Sequence, residues 1–230
     1  MKAFYNALLI VLLLLGGLIS CKELNDSYEI YVVPGGIIYP GKIRSSELFP
    51  GRHRVLIQWP AGQDPSITKA RIFWDNYSDS LEIPISPSDS VARVLIEDLP
   101  EKSYAFVVKT YDDLENASMP VEILGKTYGE LYQESLHNLR IAESSFEPPS
   151  RLFLRWAGAD RENFAIATEI KYTDTLGRIQ VKWIPAETDT CSLLDIQAGS
   201  SYSYRTVYLP EWISIDTFYT AYDEAGIELP

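Results

Sequence analysis

The chain of 230 residues is short of cysteine, histidine and positive charge, and each shortage removes a class of function. His53 and His137 lie in different segments, with no cysteine or carboxylate at ligand spacing, so neither a zinc site nor a Ser/His/Asp triad is written here. No Gly-rich phosphate loop and no EF-hand loop occurs, and no cofactor or metal is expected. The balance of 20 Lys and Arg against 32 Asp and Glu leaves a formal net charge of −12. An acidic surface without a Lys/Arg cluster repels phosphate backbones, which argues against nucleic acid as a partner. Paired acids do occur, at Asp112-Asp113 and Asp223-Glu224. Neighbours on a strand point to opposite faces, whereas glycoside hydrolysis needs two carboxyls facing one another across a cleft. The pairs therefore read as solvated loops or strand ends, and the chain as no enzyme.

A membrane-spanning run is also lacking. The apolar stretch from Ala7 to Ile19 has 13 residues (19 − 7 + 1), against the ~20 that a helix needs to cross ~30 Å of hydrocarbon. A charged start, a short apolar run and small residues after it mark residues 1–20 as a secretory signal. The run ends in Leu18-Ile19-Ser20-Cys21, which resembles the lipobox of bacterial lipoproteins. The resemblance implies cleavage before Cys21 and lipidation of that residue, and several acyl chains on one residue give stable anchoring. Lipidation of Cys21 leaves Cys191 without a partner, so no disulfide is available. Residues 21–30 read as a polar tether. Within it, Lys22-Glu23 resembles the export signals that carry Bacteroides-type lipoproteins to the outer face of the outer membrane.

What remains is rich in alternating apolar residues. Arg54 to Trp59 (RVLIQW) has the period of two expected of a strand with one buried side, and Arg151 to Trp156 (RLFLRW) repeats it 97 positions on (151 − 54). Ala70 to Trp74 answers Thr168 to Tyr172, each followed by an Asp-containing turn. Ile96 and Leu99 answer Leu193 and Ile196, and Tyr104 answers Tyr202 at an offset of 98 (202 − 104). Four elements in one order at nearly one spacing indicate an internal duplication. The expected fold is all-β, with two tandem sandwiches: 31–139, including a connecting segment, and 140–230. Leu131, Leu136 and Leu139 are spaced for one face of a short helix in that connection. Cys191 stands where the first copy has Val94 and reads as a core residue.

These landmarks resemble the fibronectin type III group of immunoglobulin-like sandwiches. In that group a Trp on the second strand fills the core, matching Trp59 and Trp156. A Leu or Ile before the sixth strand and a Tyr at its start form a corner whose hydroxyl bonds back to the loop, matching Leu99 with Tyr104 and Ile196 with Tyr202. At whole-chain scale, Tyr39 to Lys42, Lys69 to Asn76, Tyr128 to Asn138 and Tyr204 to Thr220 resemble a domain-of-unknown-function family of Bacteroides-type surface lipoproteins. That resemblance implies no activity. It does imply a setting beside surface glycan-uptake systems, with a polysaccharide and an outer-membrane uptake complex as partners.

Most aromatics are accounted for by packing. Trp212 follows Pro210, which should end a strand, and so is placed on a loop where its ring can stack on a sugar. Trp183 and Tyr219 are further candidates, against the alternative that each packs between modules or on the loop. Two readings stand: an accessory glycan-binding surface protein, and a structural spacer or protein-docking subunit. Exposure of the aromatics discriminates between them.

Overall fold

A computed structural model describes residues 36, 39–62, 64–158 and 164–229. The leader, Cys21 and the tether lie outside the described residues. Residues from Pro40 onward form one compact unit, and its strands fall into two sets with the same order. The first comprises β1 (Glu47–Pro50), β2 (Val55–Pro60), β3 (Lys69–Trp74), β4 (Asp79–Pro84), β5 (Val91–Ile96), β6 (Ser103–Tyr111) and β7 (Val121–Lys126). After a short helix α1 (Glu130–Ser135) come β8 (Ile141–Glu147), β9 (Arg151–Trp156), β10 (Ala165–Thr173), β11 (Ile179–Pro185) and β12 (Thr190–Leu193). The chain continues with β13 (Ser201–Tyr208), β14 (Phe218–Tyr219) and β15 (Asp223–Gly226).

Each set makes two antiparallel sheets. The first module has orders β1-β2-β5 and β4-β3-β6-β7. The second has β8-β9-β12 and β11-β10-β13-β14, with β15 also on β13. These are the sheets of a fibronectin type III-like sandwich, as the duplicated pattern predicted. Alternation decides which side faces in: Val55, Ile57 and Trp59 of β2 and Ala92, Val94 and Ile96 of β5 are buried against Ile72 and Phe106 of the opposite sheet. In the second module Leu152, Leu154 and Trp156 meet Ile170, Tyr202 and Tyr208. Trp59 and Trp156 are 3% and 4% exposed. Cys191 is buried in the second core, and that burial pushes its thiol up to about 11.

The turns after β3 and β10 show why aspartate recurs there. Asp75 takes a positive φ of 48°, a conformation that short polar side chains tolerate. Asp174 accepts bonds from the amides of Leu176 and Arg178, both at 2.9 Å. The Arg178 amide, with Gln180 and the Arg178 guanidinium, outweighs burial and holds its carboxyl at about 2.

Three sequence expectations change. The hydroxyl of Tyr104 bonds back to the Pro100 carbonyl at 2.9 Å as expected, whereas the Tyr202 hydroxyl is directed towards the Ser144 side chain on β8. Helix α1 carries no buried residue and Leu131 is exposed, because the helix is only six residues long and ends before Leu136 and Leu139 turn towards the second core. Asp112 is not a solvated loop acid: it is buried and accepts from the amides of Leu114 and Asn116 and from the Asn116 side chain. The last strand of the second module is split into β14 and β15, with residues 220–222 between them.

Candidate functional site

The outer face of the sheet β11-β10-β13-β14 carries a cluster of polar and aromatic side chains. Cross-strand register sets it: Trp183 lies opposite Glu169, and Glu169 opposite Arg205. One row on, Ala167 pairs with Val207 and Val207 with Tyr219, all on the same face. The short side chains of that row leave room above the sheet, and there the ring of Trp183 meets that of Tyr219 edge-on, with centroids 6.4 Å apart and an interplanar angle of 86°.

Arg205 is held between two rings, its guanidinium 4.1 Å from the Tyr219 centroid and 4.6 Å from that of Tyr222. Such stacking is attractive because the ring face is electron-rich. The same guanidinium donates to Glu169 through Nη2 at 2.7 Å and Nε at 3.1 Å, and the Tyr222 hydroxyl donates to the other carboxylate oxygen. Lys171 lies 4.2 Å over Tyr222 and 3.9 Å from Glu169. Glu169 is 5% exposed although it lies on the outward face. Burial pushes its carboxyl up, but the Tyr222 hydroxyl and Arg205 outweigh that and hold it below the usual 4.5. The cluster is therefore pre-organised: the one buried charge is neutralised, and Trp183 stays 50% exposed above it.

Trp212 does lie on a loop, and it is 71% exposed. Among the described residues its ring contact is with Phe164, edge-on at 5.2 Å. The structure thus brings Trp183 and Tyr219 together, while Trp212 belongs to the β13–β14 loop, which packs against the first module. In that junction the Ile215 amide donates to the Pro50 carbonyl at 2.8 Å. Asp216 accepts from Arg54 Nη2 at 2.6 Å, Arg54 Nε at 2.9 Å and the Arg52 amide at 2.8 Å. Gly51 is required beside it, because a Cβ there would collide with Asp216 and Ile215. Tyr128 donates to Glu211 at 2.9 Å, and burial first, then Glu211, pushes its hydroxyl far up. Arg52 stacks 4.3 Å over Phe218.

Beside this junction is an open cleft of about 350 Å³, lined by Arg52, Glu130, Gln133, Glu134, Leu136, Tyr219 and Ala221. Tyr219 is shared by the cleft and the outer-face cluster. At its rim His53 bonds Glu130 at 2.7 Å and the Leu99 carbonyl at 3.1 Å, and the Glu130 bond is the main cause that raises the imidazole above 6.5. Arg205, Glu169, Tyr222 and the polar residues of the cleft were not singled out in the sequence, whereas Tyr219 was. The alternation of β10 and β13 places 169 and 205 on the outward face, but nothing local shows that they meet. Among the described residues no group of three or more His, Cys, Asp or Glu is placed to hold a metal.

A family described as a domain of unknown function, DUF4998, matches residues 21–218. No curated protein matches the sequence. Among solved structures, the chain is similar to the FN1–FN3 domains of chicken CNTN1, with 10% identity over 83% of this chain and a TM-score of 0.42. It spans 65% of that structure, under two thirds of its length. It is also similar to a segment of two fibronectin type III domains from chicken tenascin, with 11% identity, a TM-score of 0.33, and 82% of this chain and 100% of that one covered.

Proposed function

The chain belongs to the DUF4998 family, and from that premise we propose a non-catalytic, lipid-anchored protein of the outer membrane that faces the cell exterior and offers the second module to a glycan. In this reading it is an accessory component of a polysaccharide-uptake complex, anchored through Cys21. The observation that carries the glycan reading is the half-exposed Trp183 set edge-on to Tyr219, over a layer whose charges are already paired. An uncharged ring at that position meets the apolar face of a sugar, while Arg52, Gln133 and Glu134 of the adjoining cleft meet hydroxyls. An open platform buries little area against the cost of lost translational and rotational freedom. Affinity is therefore expected in the millimolar to high-micromolar range, ~4 to 6 kcal/mol. The test is a glycan array followed by titration of the hit with the full-length protein. Trp183→Ala should weaken that binding at least tenfold while leaving the melting temperature nearly unchanged. A hit that tolerates the substitution refutes the platform, and an array without hits leaves the spacer reading.

The spacer reading has its own support in the junction, where Arg54 and Asp216 tie the modules through a forked ion pair. A pair of sandwiches held in fixed relation suits a rigid extension as well as a binding surface.

A further inference from the structure

The open edge of β11 differs from the edge in the same place of the first module. By register, Trp183 opposes Glu169 as Glu82 of β4 opposes Arg71, and Val181 opposes Lys171 as Ser80 opposes Phe73. On β4 the outward positions are thus Ser80, Glu82 and the terminal Pro84, and Glu82 is tied to Arg71 and, at 3.5 Å, to Lys69. Charge on an outward edge position guards a strand against pairing with another chain. On β11 the outward positions are Ile179, Val181 and Trp183, which are 76%, 52% and 50% exposed, followed by the terminal Pro185, which has no amide and ends the open edge. Its one charged residue, Lys182, is turned away and donates to the Ser192 carbonyl at 2.8 Å. Among the described residues β11 pairs with β10 alone.

The backbone on that edge is also available. The Asp174 amide donates to the Arg178 carbonyl and the Ala186 amide to the Ile166 carbonyl, so residues 178 and 186 turn their polar groups towards β10. Antiparallel pairing alternates, so Ile179, Val181 and Trp183 turn theirs to the open side.

We propose that β11 pairs antiparallel with β11 of a second copy of this chain, about a two-fold axis at Val181. This register sets Val181 against its own counterpart and Ile179 against Trp183 of the partner subunit. It uses the three open residues that offer both an amide and a carbonyl and forms about six backbone hydrogen bonds, two for each opposed pair. It also sets Lys182 against Gln180 of the partner subunit, whereas a slip of two residues in one direction would oppose two lysines, and in the other would leave Trp183 without an opposing open residue. The apolar stripe is complementary to itself under the two-fold, as an isologous contact requires, and that selects a second copy over a foreign strand. A seven-residue edge is small beside a permanent dimer interface of ~2,000 Å² or more, so the pair exchanges and is best read by covalent trapping.

The experiment is oxidation of full-length Val181→Cys in cells, with Ser80→Cys and the unsubstituted chain as references. Opposed residues that exchange both backbone bonds have Cα atoms about 5.5 Å apart, within the range that a disulfide spans. A disulfide-linked dimer should form at 181 and not at 80, and the buried Cys191 should contribute none. Adding Ile179→Pro to Val181→Cys removes an amide that faces the open side and not β10. It should lower the trapped fraction about tenfold, equivalent to ~1.4 kcal/mol, with the melting temperature retained. Absence of trapping at 181, equal trapping at 80, or insensitivity to Ile179→Pro each overturns the proposal.

Discussion

Asp216 ties the second module to the first through three hydrogen bonds. Replacing it with Ala removes the acceptor of three bonds, two from the Arg54 fork and one from the Arg52 amide. The side chains of Arg54 and Asp216 are 36% and 19% exposed, so water screens the ion pair and its own share is ~1 kcal/mol. Arg54 keeps a weaker partner in Glu97 at 3.7 Å. The Arg52 amide loses its acceptor in a part-buried place, which costs a further ~1 to 2 kcal/mol. The expected loss is ~2 to 3 kcal/mol, or about 4–12 °C in melting temperature for a unit of this size. Urea unfolding of Asp216→Ala against the unsubstituted protein at neutral pH measures it. Arg54 is the main cause that holds the Asp216 carboxyl below its ordinary 3.8. A depressed carboxyl stabilises fully above its unfolded value and loses that contribution as the pH falls through its folded value. The gap between the two proteins should therefore narrow on acidification below ~4. A neutral-pH difference under ~0.5 kcal/mol, or a gap that does not narrow with acid, refutes this account of the junction.

Trp59→Ala and Trp156→Ala should each cost ~3 to 5 kcal/mol, the range for truncating a large buried aromatic, and calorimetry should show each acting first on its own module. Cys21→Ala should release the protein from membranes into the aqueous fraction; a variant that sediments with membranes as before counts against the lipid anchor.

The duplicated sandwich was legible because it rests on local periodicity. Arg54 to Trp59 and Arg151 to Trp156 alternate with the strand period, and burial of one face of each follows directly from that pattern. The burial of Cys191 and the positions of Trp59 and Trp156 were legible for the same reason. Helix α1 was read too long because three leucines at helical spacing do not say which core each will reach. Tyr202 was read by analogy with Tyr104, but its hydroxyl is directed towards Ser144 on β8, a residue that nothing local marks.

The sequence by itself determined the strand pattern, the two cores and the duplication, because a period of two and a pair of core tryptophans are properties of short segments. Tertiary structure alone decided how equivalent positions are used. The repeated arginine serves as an inter-module clasp at Arg54, bonded to Asp216, whereas at Arg151 it stays within its own module, bonded to Ser192 and Glu147. His53 and Glu130 are 77 positions apart, and Glu169 and Arg205 are 36 apart. Those pairings depend on which elements become neighbours and, for Glu169 and Arg205, on strand register, and that is fixed by burying both sheets at once, not by any segment alone.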